Sequence, residues 1–377
     1  MTKHIVKMIA ILLAISMVVL PVLAAEKENV STLVSETGAG LSAMGGKTGK
    51  LLSLGEEFPA GTSVCDWVAM ALALSGSKED YTAYLKDLQS YVEDAYAKEG
   101  GLERVKSTTY HRIALVTMAL GGNPRQMGEK PNGTAIDLIA DGTYEFAGSS
   151  IGNQGLNGWI YALLTLDASG ASVPQNAKFT REDMIQAIVS AQETDGGFGL
   201  APGSSDVDIS AMALQALAPY ADQYSKTVEA GLRYLAGVMN ENCRYSAYGA
   251  ESVESSAQVI LALCALGIDP EEDARFCRGD RNVLTALADF RQTDGTYAHG
   301  LEDEKGDYLA TAQTLLALVA VEKLRAGEGW IFDFADCPAP VQKKPLTVHY
   351  LGFAAATVAM ICVVRKGKRR NNGKSNG

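Results

Sequence analysis

The sequence predicts an all-α fold in which six helical hairpins close into a ring, with an apolar segment at either end of the chain lying outside it. Three observations carry this. Six Ala/Leu-rich stretches can be laid on one another: Val68–Leu74, Ala114–Leu120, Ile160–Leu166, Ala211–Leu217, Ala257–Leu263 and Ala312–Leu318. Their closing leucines stand 46, 46, 51, 46 and 55 residues apart. Amphipathic stretches alternate with them, and no strand-period segment is long enough for a sheet.

The six stretches are predicted as inner helices. Alanine and leucine are strong helix formers, and a helix apolar round most of its circumference must be enclosed. Thr82–Ala97, Arg181–Ala191, Lys226–Met239 and Asp280–Arg291 carry apolar residues at i, i+3/i+4 with charge between them, and are predicted as outer helices. Related turns follow: Glu99-Gly-Gly-Leu102, Asp141-Gly-Thr-Tyr144, Asp195-Gly-Gly-Phe198, Asn242-Cys-Arg-Tyr245 and Asp294-Gly-Thr-Tyr297, with Gly327-Glu-Gly-Trp330 as a degenerate copy. Asp-Gly suits a tight turn because glycine takes positive φ and the aspartate bonds the local backbone. Hairpins of this period stack side by side. A count of six and the apolarity of the inner helices favour a closed ring over an open solenoid.

Residues 1–25 read as a signal peptide, with Lys3 and Lys7 ahead of the apolar run Met8–Leu20 and small residues at 22–25. Residues 26–61 are an N-terminal segment, 62–335 the ring and 336–345 a proline-bearing stalk. Residues 346–364 lack Asp, Glu, Lys and Arg and nearly match a hydrocarbon core of ~30 Å, so they read as a transmembrane helix. The basic tail 365–377 then lies in the cytoplasm and the ring outside the cell, the N-terminus out. The layout resembles a Gram-positive sorting tail, without an LPxTG-type motif.

The chain has 377 residues, with 33 bases against 44 acids. The two ends hold eight of the bases and no acid, which leaves the middle strongly acidic. Such a surface repels phosphate backbones and excludes nucleic acid as a partner. The six cysteines include no CxxC, so neither zinc nor a dense disulfide scaffold is expected. With Cys362 in the predicted span, five cysteines remain outside, and at least one is unpaired within the chain.

The repeat resembles the α/α-toroid superfamily of squalene cyclases, protein prenyltransferase β-subunits, complement thioester domains and transcobalamin-type α-domains, over about 62–330. Gln192-Glu-Thr-Asp-Gly-Gly-Phe198 matches the Q-x3-G-x-W/F turn of the cyclases, and Asp206-Val-Asp-Ile-Ser-Ala-Met-Ala-Leu214 is similar to helix starts in cyclases and transcobalamins. The arrangement most closely resembles secreted Firmicute surface proteins with prenyltransferase/squalene oxidase repeats, which implies an (α/α)6 toroid on a Gram-positive cell surface.

The catalytic motifs of these families are incomplete. Cyclases protonate an alkene with the middle Asp of D-x-D-D. Here Asp206 and Asp208 fit, but Ile209 replaces the last Asp. Asp206 or Asp208 serves equally as the cap of the helix that follows. Aligning Asp307-Tyr-Leu-Ala-Thr311 on the prenyltransferase zinc motif puts Ala310 where the His ligand belongs, and no thioester G-C-G-E-Q is present.

What remains is a mouth. In register, Cys65, His111, Asn157, Asp208, Glu254 and Leu309 surround the end where the inner helices begin, with Trp67 and Trp159 close by. Polar groups and aromatics at an apolar opening suit a small-molecule pocket. The ligand-binding candidates are therefore Trp67, Tyr110, His111, Asn157, Trp159, Asp208 and Glu254, and no metal site is expected. The expected function is a membrane-anchored extracellular binding protein for a small, partly apolar ligand or a partner protein, without catalysis. The resemblance to transcobalamins makes a corrinoid the sharpest candidate ligand. A terpene-cyclase or prenyltransferase-like enzyme using Asp208, and a rigid structural surface protein, are the alternatives.

Overall fold

The computed structural model describes residues 29–339 apart from 248, 335 and 336. The expected signal peptide, transmembrane helix and basic tail, and most of the stalk, lie outside the described residues. Among those described, no helix is long and apolar enough to cross a membrane.

The six predicted inner helices form. They are α2 (Ser63–Leu74), α4 (Ser107–Ala119), α6 (Leu156–Ala168), α8 (Val207–Leu217), α10 (Val253–Ala265) and α11 (Tyr308–Ala326). Nearly all the residues that suggested them are withdrawn from water: Val68, Ala114, Ile160, Ala211, Ala257 and Ala312 are all fully buried. Each helix packs on the next in the order α2, α4, α6, α8, α10, α11, and α11 packs on α2, so the contacts run round a closed cycle.

The outer elements are less regular. α3 (Tyr81–Glu99), α7 (Arg181–Val189) and α9 (Ser225–Val238) stand where amphipathic helices were predicted. A capping box between Thr180 and Asp183 starts α7. Between α4 and α6 stand only the short α5 (Leu138–Gly142) and a 3-10 turn, Ile151–Gln154. The helix predicted over Asp280–Arg291 does not form. Its place is taken by a two-stranded ribbon, β3 (Cys277–Arg278) with β4 (Arg281–Asn282), and a 3-10 segment, Thr285–Phe290. A first ribbon, β1 (Ser246–Ala247) with β2 (Ala250–Glu251), precedes α10. Asn282 explains the change. Its side chain accepts from the amides of Leu284 and Thr285, a local bond that competes with helix continuation. An unpredicted helix, α1 (Val30–Ala43), packs on α11 and on α2 and covers the seam where the ring closes.

The turns repeat in detail. Glu193, Asn240 and Gln292 each donate a backbone N–H to the carbonyl four residues on (Gly197, Arg244, Thr296). The third residue after each (Gly196, Cys243, Gly295) returns its N–H to that same residue's carbonyl and has positive φ. Gly196 and Gly295 press on outer helices, since a Cβ there would lie 2.6 Å from Ala230 O on α9 and 2.7 Å from Glu36 O on α1. The turn predicted at Asp141-Gly-Thr-Tyr144 is instead the end of α5. Its counterpart is Lys130–Thr134, closed by Gly133, which donates to Lys130 O.

Candidate functional site

The end of the ring where the inner helices begin is built by caps and clips. Asp206, Ser252 and Asp307 cap α8, α10 and α11, each accepting from amides of the first turn. Asp206 is therefore a cap. Behind two caps sits a hydroxyl clip: Ser210 Oγ accepts from Phe198 N at 2.8 Å and donates to Phe198 O at 3.1 Å, and Thr311 Oγ1 does the same with Tyr297 at 2.9 and 3.2 Å. These clips fix the turn aromatics, Phe198 and Tyr297, in the core.

Asp208 lies one position beyond the capped end of α8, and its Oδ1 has no hydrogen-bond partner. Burial pushes its carboxyl up to about 6. The carboxylates of Asp206 and Glu254 act in the same sense, and the Ser255 hydroxyl opposes them. Tyr161 on α6 feels the charge of Asp208, and its own hydroxyl is held well above the usual phenol range, mainly by burial. Tyr161 meets Trp67 edge to face, with ring centroids 6.1 Å apart, and points its hydroxyl at Met212 Sδ at 3.2 Å. Because α2 and α6 are not neighbours in the cycle, the Trp67–Tyr161 contact crosses the inside of the ring. Glu254 faces the same rim and binds His299 Nδ1 at 2.9 Å, which raises the imidazole above its ordinary value. Deeper in, Gln215, Gln258 and Gln313 form an amide ladder from α8 through α10 to α11, with bonds of 2.9 and 3.0 Å.

The structure brings Trp67, Asp208 and Glu254 to this rim. Asn157 starts α6 there, its Oδ1 buried without a partner. The other candidates sit elsewhere. His111 is fully buried. Its Nε2 meets Gly142 O at 2.6 Å, Nδ1 has no partner, and burial lowers the imidazole to about 4, so the ring is neutral. Tyr110 is buried too, its hydroxyl accepting from the amide of Leu102 and donating to Glu103 O. Trp159 packs edge to face on Phe179 at 5.7 Å rather than against Trp67. Asp66 and Arg112 are tied together at 2.9 Å, with Tyr84 and Gly61 N also on the carboxylate, joining α2, α3 and α4.

Tyr161, Met212, Gln258 and Gln313 were not singled out by the sequence. Their signal was present: they occupy the second position of four of the six aligned stretches, one helical turn beyond Asn157, Asp208, Glu254 and Leu309. Four large apolar side chains stand exposed on the segments that lead into the inner helices: Val64 in the first turn of α2, Val105 just before α4, and Leu200 and Leu301 in the loops that precede α8 and α11. Among the described residues no group of His, Cys, Asp and Glu is disposed to hold a metal ion.

No family profile matches the chain, and no curated protein does. Solved structures do. The protein geranylgeranyltransferase-I of Candida albicans, complexed with GGPP, is similar at 10% identity and a TM-score of 0.50, over 83% of this chain and 96% of that one. The type II terpene cyclase MstE from Scytonema, both apo and as an arginine-to-alanine variant in complex with geranylgeranyl dihydroxybenzoate, aligns at 15% identity and a TM-score of 0.48, over 78% of this chain and 99% of the cyclase. At these identities the likeness is one of fold, and it lies with the α/α-toroid folds that the repeats resemble.

Proposed function

We propose that the closed cycle of helices is an (α/α)6 toroid whose N-terminal mouth binds a small, largely apolar, isoprenoid-type molecule, with Asp208 as the acid that protonates it. The observation that carries this is the carboxyl of Asp208. It lies within electrostatic reach of Tyr161, has an oxygen without a partner, and is raised by burial to about 6. A raised carboxyl in a cleft is the usual mark of a working acid. The step is a proton transfer. The Asp208 O–H bond breaks, a C–H bond forms at one alkene carbon, and the carboxylate is left beside a carbocation. The aromatic pair Trp67 and Tyr161 on the same rim would supply π-electron density to such a cation. Val64, Val105, Leu200 and Leu301 give the rim an apolar approach for such a substrate.

Incubation of the protein with squalene and polyprenyl substrates, followed by mass spectrometry, tests the reading. Cyclised or hydrated product that disappears with Asp208→Asn supports it. Wild-type protein that leaves every substrate unchanged defeats it.

A second reading, binding without turnover, is favoured by Ile209. It replaces the last Asp of the cyclase motif and is buried, so no second carboxylate stands next to Asp208 in sequence to stiffen the acid. Saturable heat with a polyprenyl ligand and no product would establish it. Heat with cobalamin or cobinamide in its place would identify a corrinoid ligand. With either reading we propose the placement that the chain ends suggest: outside the cell, tethered through residues 346–364.

A further inference from the structure

The opposite end of the ring holds a second site, independent of the proposal for the mouth. After α11 ends at the left-handed Gly327, the chain turns back across the C-terminal ends of the inner helices. Cys337 N bonds to Ser169 O just past α6, and Asn123 Nδ2 just past α4 bonds to Pro338 O. Beneath this strap lies a cavity of about 260 Å3. Its floor comes from the last turns of three helices, through Leu164 of α6, Ala216 of α8 and Ala265 of α10. Its roof is the strap itself, through Trp330, Phe332 and Asp333. The rings of Trp330 and Phe332 stand at 83° with centroids 5.4 Å apart, two aromatic walls at a right angle.

The chemistry of the lining has one sign. Helix C-termini present unsatisfied carbonyls and negative partial charge. Two carboxylates, Asp167 and Asp333, reach the cavity, and no lysine or arginine is among its lining residues. Asp167 is already answered, by Arg181 and by the Tyr220 hydroxyl at 3.0 Å. Asp333 has no side-chain partner among the described residues, and Trp330 Nε1 is a buried donor without an acceptor. Aromatic faces beside an unanswered carboxylate suit a cation that carries apolar substituents. The indole N–H asks that the same ligand bring an oxygen.

We propose that this cavity binds a small organic ammonium ion bearing a hydroxyl or carbonyl oxygen, held by Trp330, Phe332 and Asp333. Its volume fits a molecule smaller than a drug-sized ligand.

The test is isothermal titration of the full-length chain with choline and with its neutral isostere 3,3-dimethylbutanol, together with tryptophan fluorescence, in which the part due to Trp330 is taken as the difference from Trp330→Leu. The expected result is saturable choline binding that perturbs the indole emission, with the isostere weaker by about tenfold or more. Asp333→Asn, an exposed and nearly isosteric change that leaves the fold intact, weakens choline by about tenfold as well. Trp330→Leu abolishes binding, with thermal melting to confirm that the strap remains folded. Absence of choline binding, equal affinity for the two probes, or unchanged affinity in Asp333→Asn overturns the proposal.

Discussion

The two ends of the ring are made by the same six helices and differ in almost everything else. Where the helices begin, the rim is tied by side chains: aspartate and serine caps, hydroxyl clips and the buried Asp66–Arg112 pair. Where they finish, the end is covered by a strap of aromatics, Trp330, Phe332 and Phe334. A helix has a polarity, so a ring of parallel inner helices has two chemically opposite openings. One end favours groups that accept hydrogen bonds and the other favours cations. Asp208 shows that burial can outweigh this, since its carboxyl is raised although it sits at the end where the helix dipoles favour its ionised form.

Substitutions at the two ends can break or sharpen that contrast. The largest effect is expected at the first rim. Arg112→Met strands the Asp66 carboxylate in the core and should lower stability by about 3–5 kcal/mol in a denaturant titration, part of which the double variant with Asp66→Asn recovers. Phe332→Ala removes a buried ring from the strap and should cost about 3 kcal/mol. If the strap is only a passenger, that variant will melt like the wild type.

The pH dependence divides between Asp208 on the first rim and His111, buried away from it. Asp208 titrates near 6 in the folded chain and near 3.8 unfolded, so the folded state holds more protons between those values. Stability from this group falls as pH rises from about 4 to 6, and Asp208→Asn should be more stable at pH 7 by on the order of 2 kcal/mol. His111 has the opposite sign. Its folded value of about 4 lies below the ordinary 6.5, so stability is full above 6.5 and is lost as pH falls towards 4. His111→Leu should therefore flatten the acid side of the melting-temperature profile, while Asp208→Asn steepens it. Parallel profiles for the two variants would refute these assignments. The smallest effect is expected midway between the ends, where Gln258→Met leaves Gln215 and Gln313 without their shared partner and should cost about 1–2 kcal/mol.

The inner helices were legible because enclosure demands apolar residues on every side, and a repeated demand leaves a repeated trace. The outer element between α10 and α11 was not, because Asp280–Arg291 carries helical spacing while Asn282 spends its side chain on the local backbone. α1 was hidden for a different reason. Its stretch, Val30–Ala43, contains glycines and threonine that look like a linker, yet Gly40 is what lets the turn at Asp294–Thr296 approach, since a Cβ there would meet Asp294 O at 2.6 Å. At the site, the register column placed Asp208 and Glu254 correctly on the rim. It misplaced His111, because one column cannot distinguish a side chain facing the axis from one turned into the seam between helices. The strap cavity was invisible, since its walls come from four separated parts of the chain.

The seam sealed by α11 against α2 has a thermodynamic corollary. In a linear array the outermost unit can peel away by giving up one neighbour, so such arrays fray from their tips. A cycle has no tips. Releasing any hairpin here uncovers two faces at once, so melting should be all-or-none across residues 30–334, and cutting away the first or last helix should unfold the rest instead of shortening it.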